Sequence, residues 1–245
     1  MGNAIQALAD FLIDERCHAC GRAIEASARL ARPLSPAAAA LAAPMRVGWD
    51  RFGVETRPLC RACCHQLVAS VAPVTIDALA VWPAFETDDR VLAVIHALKF
   101  SRRERLAKWL ARALADGLPA RMLSEDTAHT VLVPVPMDRA SLRRRGFNQA
   151  ERIALALGAL TGLPVERRAL VKTRATAPQS SLGRDERMRN VAGVMAVVAR
   201  DAVAGRRVVL VDDLVTTGAT AASCAKALAC AGAPSVCAVC VGYRP

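Results

Sequence analysis

The sequence predicts an α/β fold, a central parallel sheet with helices on both faces, preceded by a small cysteine-rich N-terminal module. Three observations carry this. Apolar, β-branched runs at 131–136 and 208–211 alternate with segments of helical periodicity, the pattern of a parallel sheet. A further apolar run, SVCAVCVGY, follows the last helical segment and reads as a closing strand. Two C-x-x-C pairs, Cys17/Cys20 and Cys60/Cys63, stand in the N-terminal part of the chain. With 245 residues, 53% of them apolar, the chain can bury a full core as one large or two small domains, and wholesale disorder is excluded. The expected boundaries are 1–70 for the cysteine-rich module and 71–245 for the α/β domain.

The elements follow in order. Ile5, Leu8 and Leu12 have the spacing of a short amphipathic helix leading to Cys17. The interval between the cysteine pairs is alanine-rich, carries Pro33, Pro36 and Pro44, and reads as an expanded loop. Residues 67–85 show only short apolar runs, interrupted by Pro73 and Pro83. Segment 91–118 predicts one long or two short helices with Leu106, Leu110, Ala113 and Leu114 on one face. The run at 131–136 is a buried strand ended by proline. Residues 151–164 are helical and stop at Gly162 and Pro164. A basic, Gly- and Pro-punctuated loop covers 172–193, and the strand, loop, helix and closing strand of 207–243 complete the chain.

Lys and Arg outnumber Asp and Glu by 33 to 22, for a formal net charge of +11. Four of the cations are lysines (Lys99, Lys108, Lys172, Lys226), so arginine dominates. A planar fork suits phosphate groups, although a GC-rich coding bias leaves the same count. The most apolar stretch, 219–241, is broken by Lys226, Gly232 and Pro234, so no membrane insertion is expected. Asp10, Asp14 and Glu15 lie where a signal peptide needs apolar residues. A cytoplasmic location follows, where thiols stay reduced and a disulfide framework is not expected.

The strongest chemical signal is VVLVDDLVTTGAT at 208–220. An apolar strand delivers Asp212 and Asp213 to the carboxyl edge of the sheet, where ligands of α/β folds sit. Leu214, Val215, Thr216, Thr217, Gly218, Ala219 and Thr220 then lead into a helix. Backbone N–H groups and hydroxyls at a helix N-terminus form a phosphate cradle, and Gly218 allows close approach. The Gly-Lys-Ser/Thr ending of a Walker A loop is missing. A cradle beside paired acids suits a phosphorylated sugar whose hydroxyls donate to the carboxylates. The string resembles the phosphoribosyl-pyrophosphate (PRPP) signature of type I phosphoribosyltransferases.

Two further blocks fit such a site. After the strand end at 133–136 come Arg139, Arg143, Arg144, Arg145 and the turn residue Gly146, a candidate diphosphate loop. Asn148 and Gln149 stand next as caps or ligand contacts. In 172–194, Arg174, Thr176, Gln179, Arg187 and Asn190 occupy a segment long enough for a mobile lid, which would keep water from an oxocarbenium-like sugar.

RGFNQAE, then the spaced Arg174, Thr176, Gln179, Arg187 and Asn190, then VDDLVTTG, all behind a four-cysteine N-terminus, resemble the ComF family of competence proteins. Where members commonly carry Leu-Lys-Tyr, this chain has Leu98-Lys99-Phe100, followed by Ser101-Arg102 rather than a glycine. The resemblance implies a type I phosphoribosyltransferase-like domain behind a zinc ribbon. It implies PRPP as ligand, Mg²⁺ bridging pyrophosphate and ribose hydroxyls, and Asp212, Asp213 and Arg174 as catalytic residues. Thr216–Thr220 would hold the 5-phosphate, and the arginines at 143–145 and the lid would neutralise the departing pyrophosphate. Single-stranded DNA and competence-machinery proteins are the implied partners. The alternative is a non-catalytic DNA-binding competence factor whose PRPP site is regulatory. One Tyr, three Trp and five Phe leave that alternative few stacking platforms. No residue stands out as a general base, and the acceptor is not legible.

The C-x-x-C pairs Cys17/Cys20 and Cys60/Cys63 are knuckles that present four thiolates to one structural Zn²⁺. The long interval between them is tolerable because loop closure costs little per added residue. Cys64 can replace Cys63 in this reading, and His18 and His65 stand nearby. Cys224, Cys230, Cys237 and Cys240 read as small hydrophobic residues of the last helix and strand.

Overall fold

A computed structural model describes residues 16–22, 24, 59–70, 72–100, 104–117, 129–173 and 194–245. Helix α1 is one turn, Arg61–Cys64. Strand β1 (Val74–Ile76) and strand β2 (Leu79–Glu86) form a tight hairpin. Its two turn residues, Asp77 and Ala78, have φ of 46° and 66°, the double left-handed geometry that matches strand twist. Residues 67–85 therefore hold two strands that the broken apolar runs did not predict. Pro83 lies inside β2, beyond Val81 where the pairing with β1 ends.

The segment at 91–118 is two helices, α2 (Asp89–Phe100) and α3 (Glu104–Gly117). The Asp88 carboxylate starts α2 by accepting from the N–H groups of Arg90 and Val91, both at 2.9 Å. Strand β3 (Thr130–Pro134) follows, then α4 (Arg139–Arg145) and α5 (Gln149–Thr161). Helix α5 ends where predicted, with Gly162 in the left-handed region at φ 75°. Strands β4 (Leu170–Lys172) and β5 (Met195–Val197) pair antiparallel in a small separate sheet. Strand β6 (Arg207–Val215), α6 (Ala219–Cys230) and β7 (Ser235–Tyr243) complete the fold.

The main sheet has the order β1-β2-β7-β6-β3, parallel throughout except for β1. Strand β7 is thus the centre of the sheet, although it comes last in the chain. Val209 and Val211 of β6 turn to a face covered by α2, α3 and α5, where Leu98, Leu110 and Leu157 are fully buried. Val208 and Leu210 turn to the other face, against Cys224 and Leu228 of α6. Helices on both faces of a parallel sheet match the fold class read from the sequence. Cys17, Leu59, Cys63 and Cys64 share the buried cluster of Leu98 and Leu110, so the cysteine knuckles are seated on the main core. Among the described residues, no helix is long and apolar enough to cross a membrane.

Candidate functional site

Parallel strands place the carboxyl ends of β2, β3, β6 and β7 at one edge of the sheet, the edge that receives ligands in such folds. Asp212 and Asp213 lie near that end of β6. The strand runs further than the sequence reading placed it. Leu214 and Val215, expected in the phosphate loop, pair with Gly242 and Tyr243 of β7. The unpaired turn is therefore Thr216, Thr217 and Gly218, with Ala219 and Thr220 opening α6. Gly218 has φ 75°, and a Cβ added there would stand 2.5 Å from the Ile76 side chain, so both conformation and space demand glycine. The Thr217 hydroxyl accepts weakly from the Ala219 N–H at 3.5 Å.

Side chains of adjacent strand residues point to opposite faces, and the two acids follow this rule. Asp213 turns to the α2 and α5 face and is buried, with 5% of its surface exposed. Its Oδ2 accepts from Lys99 Nζ at 3.1 Å and from Gln149 Nε2 at 3.2 Å, and its Oδ1 from the Leu214 N–H at 2.9 Å. Asp212 turns to the α6 face and is half-buried, its Oδ1 accepting from the Asp213 N–H at 2.8 Å. Enclosure by protein, and then the charge of Asp213, push the Asp212 carboxyl well above the usual carboxylate range. The same enclosure raises the Cys224 and Cys240 thiols, and the Asp212 charge adds to both.

The segment after β3, expected as a loop, is the short helix α4. Asp138 caps it, its Oδ1 accepting from the Ser141 N–H at 2.8 Å, and Gly146 ends it at φ 82°. That N–H bond holds the Asp138 carboxyl below its usual range. Arg139 and Arg143 are exposed, and Arg144 reaches its own helix at Ser141 Oγ, 3.4 Å away. Arg145 instead turns inward, donating to Gln149 Oε1 at 2.6 Å. Asn148 is a cap: its Oδ1 accepts from the Ala150 N–H and its Nδ2 donates to the Val135 carbonyl, both at 3.0 Å. It ties the start of α5 to the end of β3. Arg174, Thr176, Gln179, Arg187 and Asn190 lie outside the described residues. The strands that flank them, β4 and β5, are joined at their ends by Thr173, whose N–H and hydroxyl both donate to the Val194 carbonyl at 2.9 Å.

The sulfurs of Cys17, Cys20, Cys60 and Cys63 lie within 4.8 Å of one another, and those of Cys20 and Cys60 are 3.7 Å apart. Four thiolates about 2.3 Å from a tetrahedral zinc are about 3.8 Å apart, so the donor set fits that ion. The first knuckle is closed by the Gly21 N–H on the Cys17 carbonyl, and the second opens α1. Cys64 is directed instead to the Leu59 carbonyl at 3.5 Å. Burial alone would raise the Cys17 thiol, but N–H groups of Cys60, Cys20 and Ala19 bring it down to about 7, whereas burial and the neighbouring thiols push Cys63 up. Of the remaining cysteines, Cys224, Cys237 and Cys240 are buried as expected, whereas Cys230 is exposed at the end of α6.

No family model matches the chain. The DNA utilization protein YhgH of Escherichia coli K12 is 38% identical over 144 residues, 58% of this chain and 63% of that protein. YhgH of Salmonella typhi is 35% identical over the same shares. Competence protein F of Haemophilus influenzae is 29% identical over 118 residues, 46% of this chain and 52% of that protein. The chain is thus similar to proteins named for DNA utilization and for competence.

The matched region spans less than two thirds of the length of these relatives. A solved structure described as the allosteric regulatory enzyme of purine biosynthesis covers 60% of this chain and 30% of its own, with 24% identity and a TM-score of 0.39. Of the residues that meet at the acid site, Lys99 was visible in the sequence only as part of Leu98-Lys99-Phe100. Its partner lies 114 positions away, so spacing carried no signal of the contact.

Proposed function

We propose that this chain is a ComF-family protein that binds PRPP at the carboxyl edge of its sheet and transfers or recognises the phosphoribosyl group, in a role linked to DNA uptake. The observation that carries the reading is the junction of β6 and α6. The strand that carries Asp212 and Asp213 runs directly into a Thr216-Thr217-Gly218 turn that opens a helix of twelve residues. The turn and the first N–H groups of α6 would hold the 5-phosphate, since helix N-termini favour anions. Asp212 would accept from ribose hydroxyls. Arg145 and the more exposed arginines of α4 supply cations for the diphosphate. Two carboxyl groups are too few ligands to form a metal cage by themselves. Mg²⁺ would therefore be carried in by the diphosphate and ribose oxygens, and bound there it would neutralise charge on the leaving diphosphate. Zinc, in the four-thiolate site, would be structural, because no coordination position is left open.

Calorimetric titration with PRPP and Mg²⁺ tests this reading. Wild-type protein is expected to bind, and Asp212→Asn with Asp213→Asn is expected to abolish the heat while the fold still melts cooperatively. Absence of binding by the wild type, or unchanged binding by the double variant, refutes the site.

A DNA-binding reading is favoured by one observation, the exposure of Arg139, Arg143 and Arg144 along α4. The names of the relatives, which refer to DNA utilization and competence, point the same way. If α4 contacts a single strand, log affinity falls linearly with log salt, and exchanging these three arginines for glutamine reduces that slope by about 2. A slope unchanged by the substitutions removes α4 from any such interface.

A further inference from the structure

The two adjacent acids are held very differently. Asp213 has three donors on its two oxygens: Lys99 Nζ, Gln149 Nε2 and the Leu214 N–H. Removing one partner of such an enclosed pair leaves the other without its counter-charge, and Lys99, its own side chain 24% exposed, is the cation beside Asp213. Gln149 is buried as well, and its amide has one orientation compatible with its neighbours. The NH₂ faces Asp213 and the oxygen faces Arg145, at 3.2 and 2.6 Å. A continuous chain therefore runs from the last turn of α2, through the acidic end of β6 and the first turn of α5, to the end of α4. Asp212, on the other face, is half-buried and accepts from the Asp213 N–H, which leaves oxygen lone pairs for a ligand.

We propose that Lys99 is a positioning residue whose ion pair with Asp213, extended through Gln149 to Arg145, holds the acidic strand end and α4 in the arrangement that accepts PRPP. Asp212 is then the carboxylate left to meet the sugar, and Asp213 is the hub that sets where Asp212 and Arg145 stand. This inference rests on the PRPP reading above and assigns distinct duties within it.

The test is a double-mutant cycle in PRPP and Mg²⁺ titrations, using Lys99→Met, Lys99→Arg, Asp213→Asn and the Lys99→Met/Asp213→Asn pair. Lys99→Met is expected to bind PRPP about tenfold more weakly, within the range of couplings between contacting residues. Lys99→Arg keeps the charge and is expected to recover most of that loss, which a purely packing role would not allow. In the Asp213→Asn background Lys99→Met should cost nothing further, because its action passes through Asp213. That pair buries no unmatched charge, so it folds even where Lys99→Met alone does not, and it is compared directly with Asp213→Asn. Wild-type binding that Lys99→Met leaves intact overturns the positioning role alone, as does an equal Lys99→Met penalty with or without Asp213. A wild-type protein that does not bind PRPP overturns the functional reading and this inference with it.

Discussion

Replacing Asp212 with asparagine is expected to raise the melting temperature of the ligand-free protein while removing its affinity for PRPP. The carboxyl is pushed well above its usual range, first by enclosure and then by the charge of Asp213. A carboxyl with a raised folded value contributes to stability when protonated. That contribution is complete below the unfolded carboxylate range and is lost as pH rises through the folded value. Asparagine cannot ionise, yet its amide oxygen can still accept from the Asp213 N–H that Asp212 now holds at 2.8 Å. The variant should therefore match the wild type near pH 4 and melt higher near pH 8, each kcal/mol of relieved strain being worth about 2–4 °C in a chain of this length. Scanning calorimetry across that interval reads it directly. A variant that melts lower at pH 8, or a gain that does not vary with pH, would show that Asp212 is not a strained ion. The opposite signs on stability and binding are what a functional carboxylate at an enclosed strand end produces.

Loss of the metal from the four-cysteine site is expected to have the largest effect on stability. Purified protein should carry about one zinc per chain. Chelation, or Cys63→Ser, should lower the melting temperature by more than about 10 °C, since the binding energy of a structural zinc is folding energy. The reason for so large an effect lies in where the knuckles sit. Cys17 and Cys63 are buried in the same cluster as Val91, Val94, Ile95 and Leu98 of α2. Opening the site would expose that face of α2, the helix whose last turn carries Lys99 to Asp213. PRPP affinity should therefore fall together with zinc content. Metal analysis that finds no zinc, or melting unchanged by chelator, would remove the metal site from this account.

How much of this was legible in the sequence depended on the range of the interactions involved. The strand at β6, the acids at its end, the turn at Thr216–Gly218 and the stop of α5 at Gly162 are local, and each was written in a few adjacent residues. The four cysteines were legible for a related reason: the two-residue spacing inside each knuckle is itself the geometry of a metal site. The broken runs at 67–85 hid a hairpin because β1 and the turn are too short to show a period, and Pro83 argued against a strand. Residues 139–145 read as a loop because α4 buries no residue and thus has no apolar stripe. Leu214 and Val215 read as loop because their pairing is with Gly242 and Tyr243, almost thirty residues further on.

The sequence by itself determined the class of fold, the family resemblance, the order of strand, turn and helix at the acid site, and which four cysteines come together. These rest on periodicity, turn chemistry and spacing, all of which act between near neighbours in the chain. The tertiary structure alone decided that the last strand lies at the centre of the sheet, and that adjacent acids look to opposite faces with different partners. It also decided that Lys99, Gln149 and Arg145 converge on one of them. Those outcomes follow from strand order and from which helix covers which face, and both are set by burying apolar surface between residues far apart in sequence.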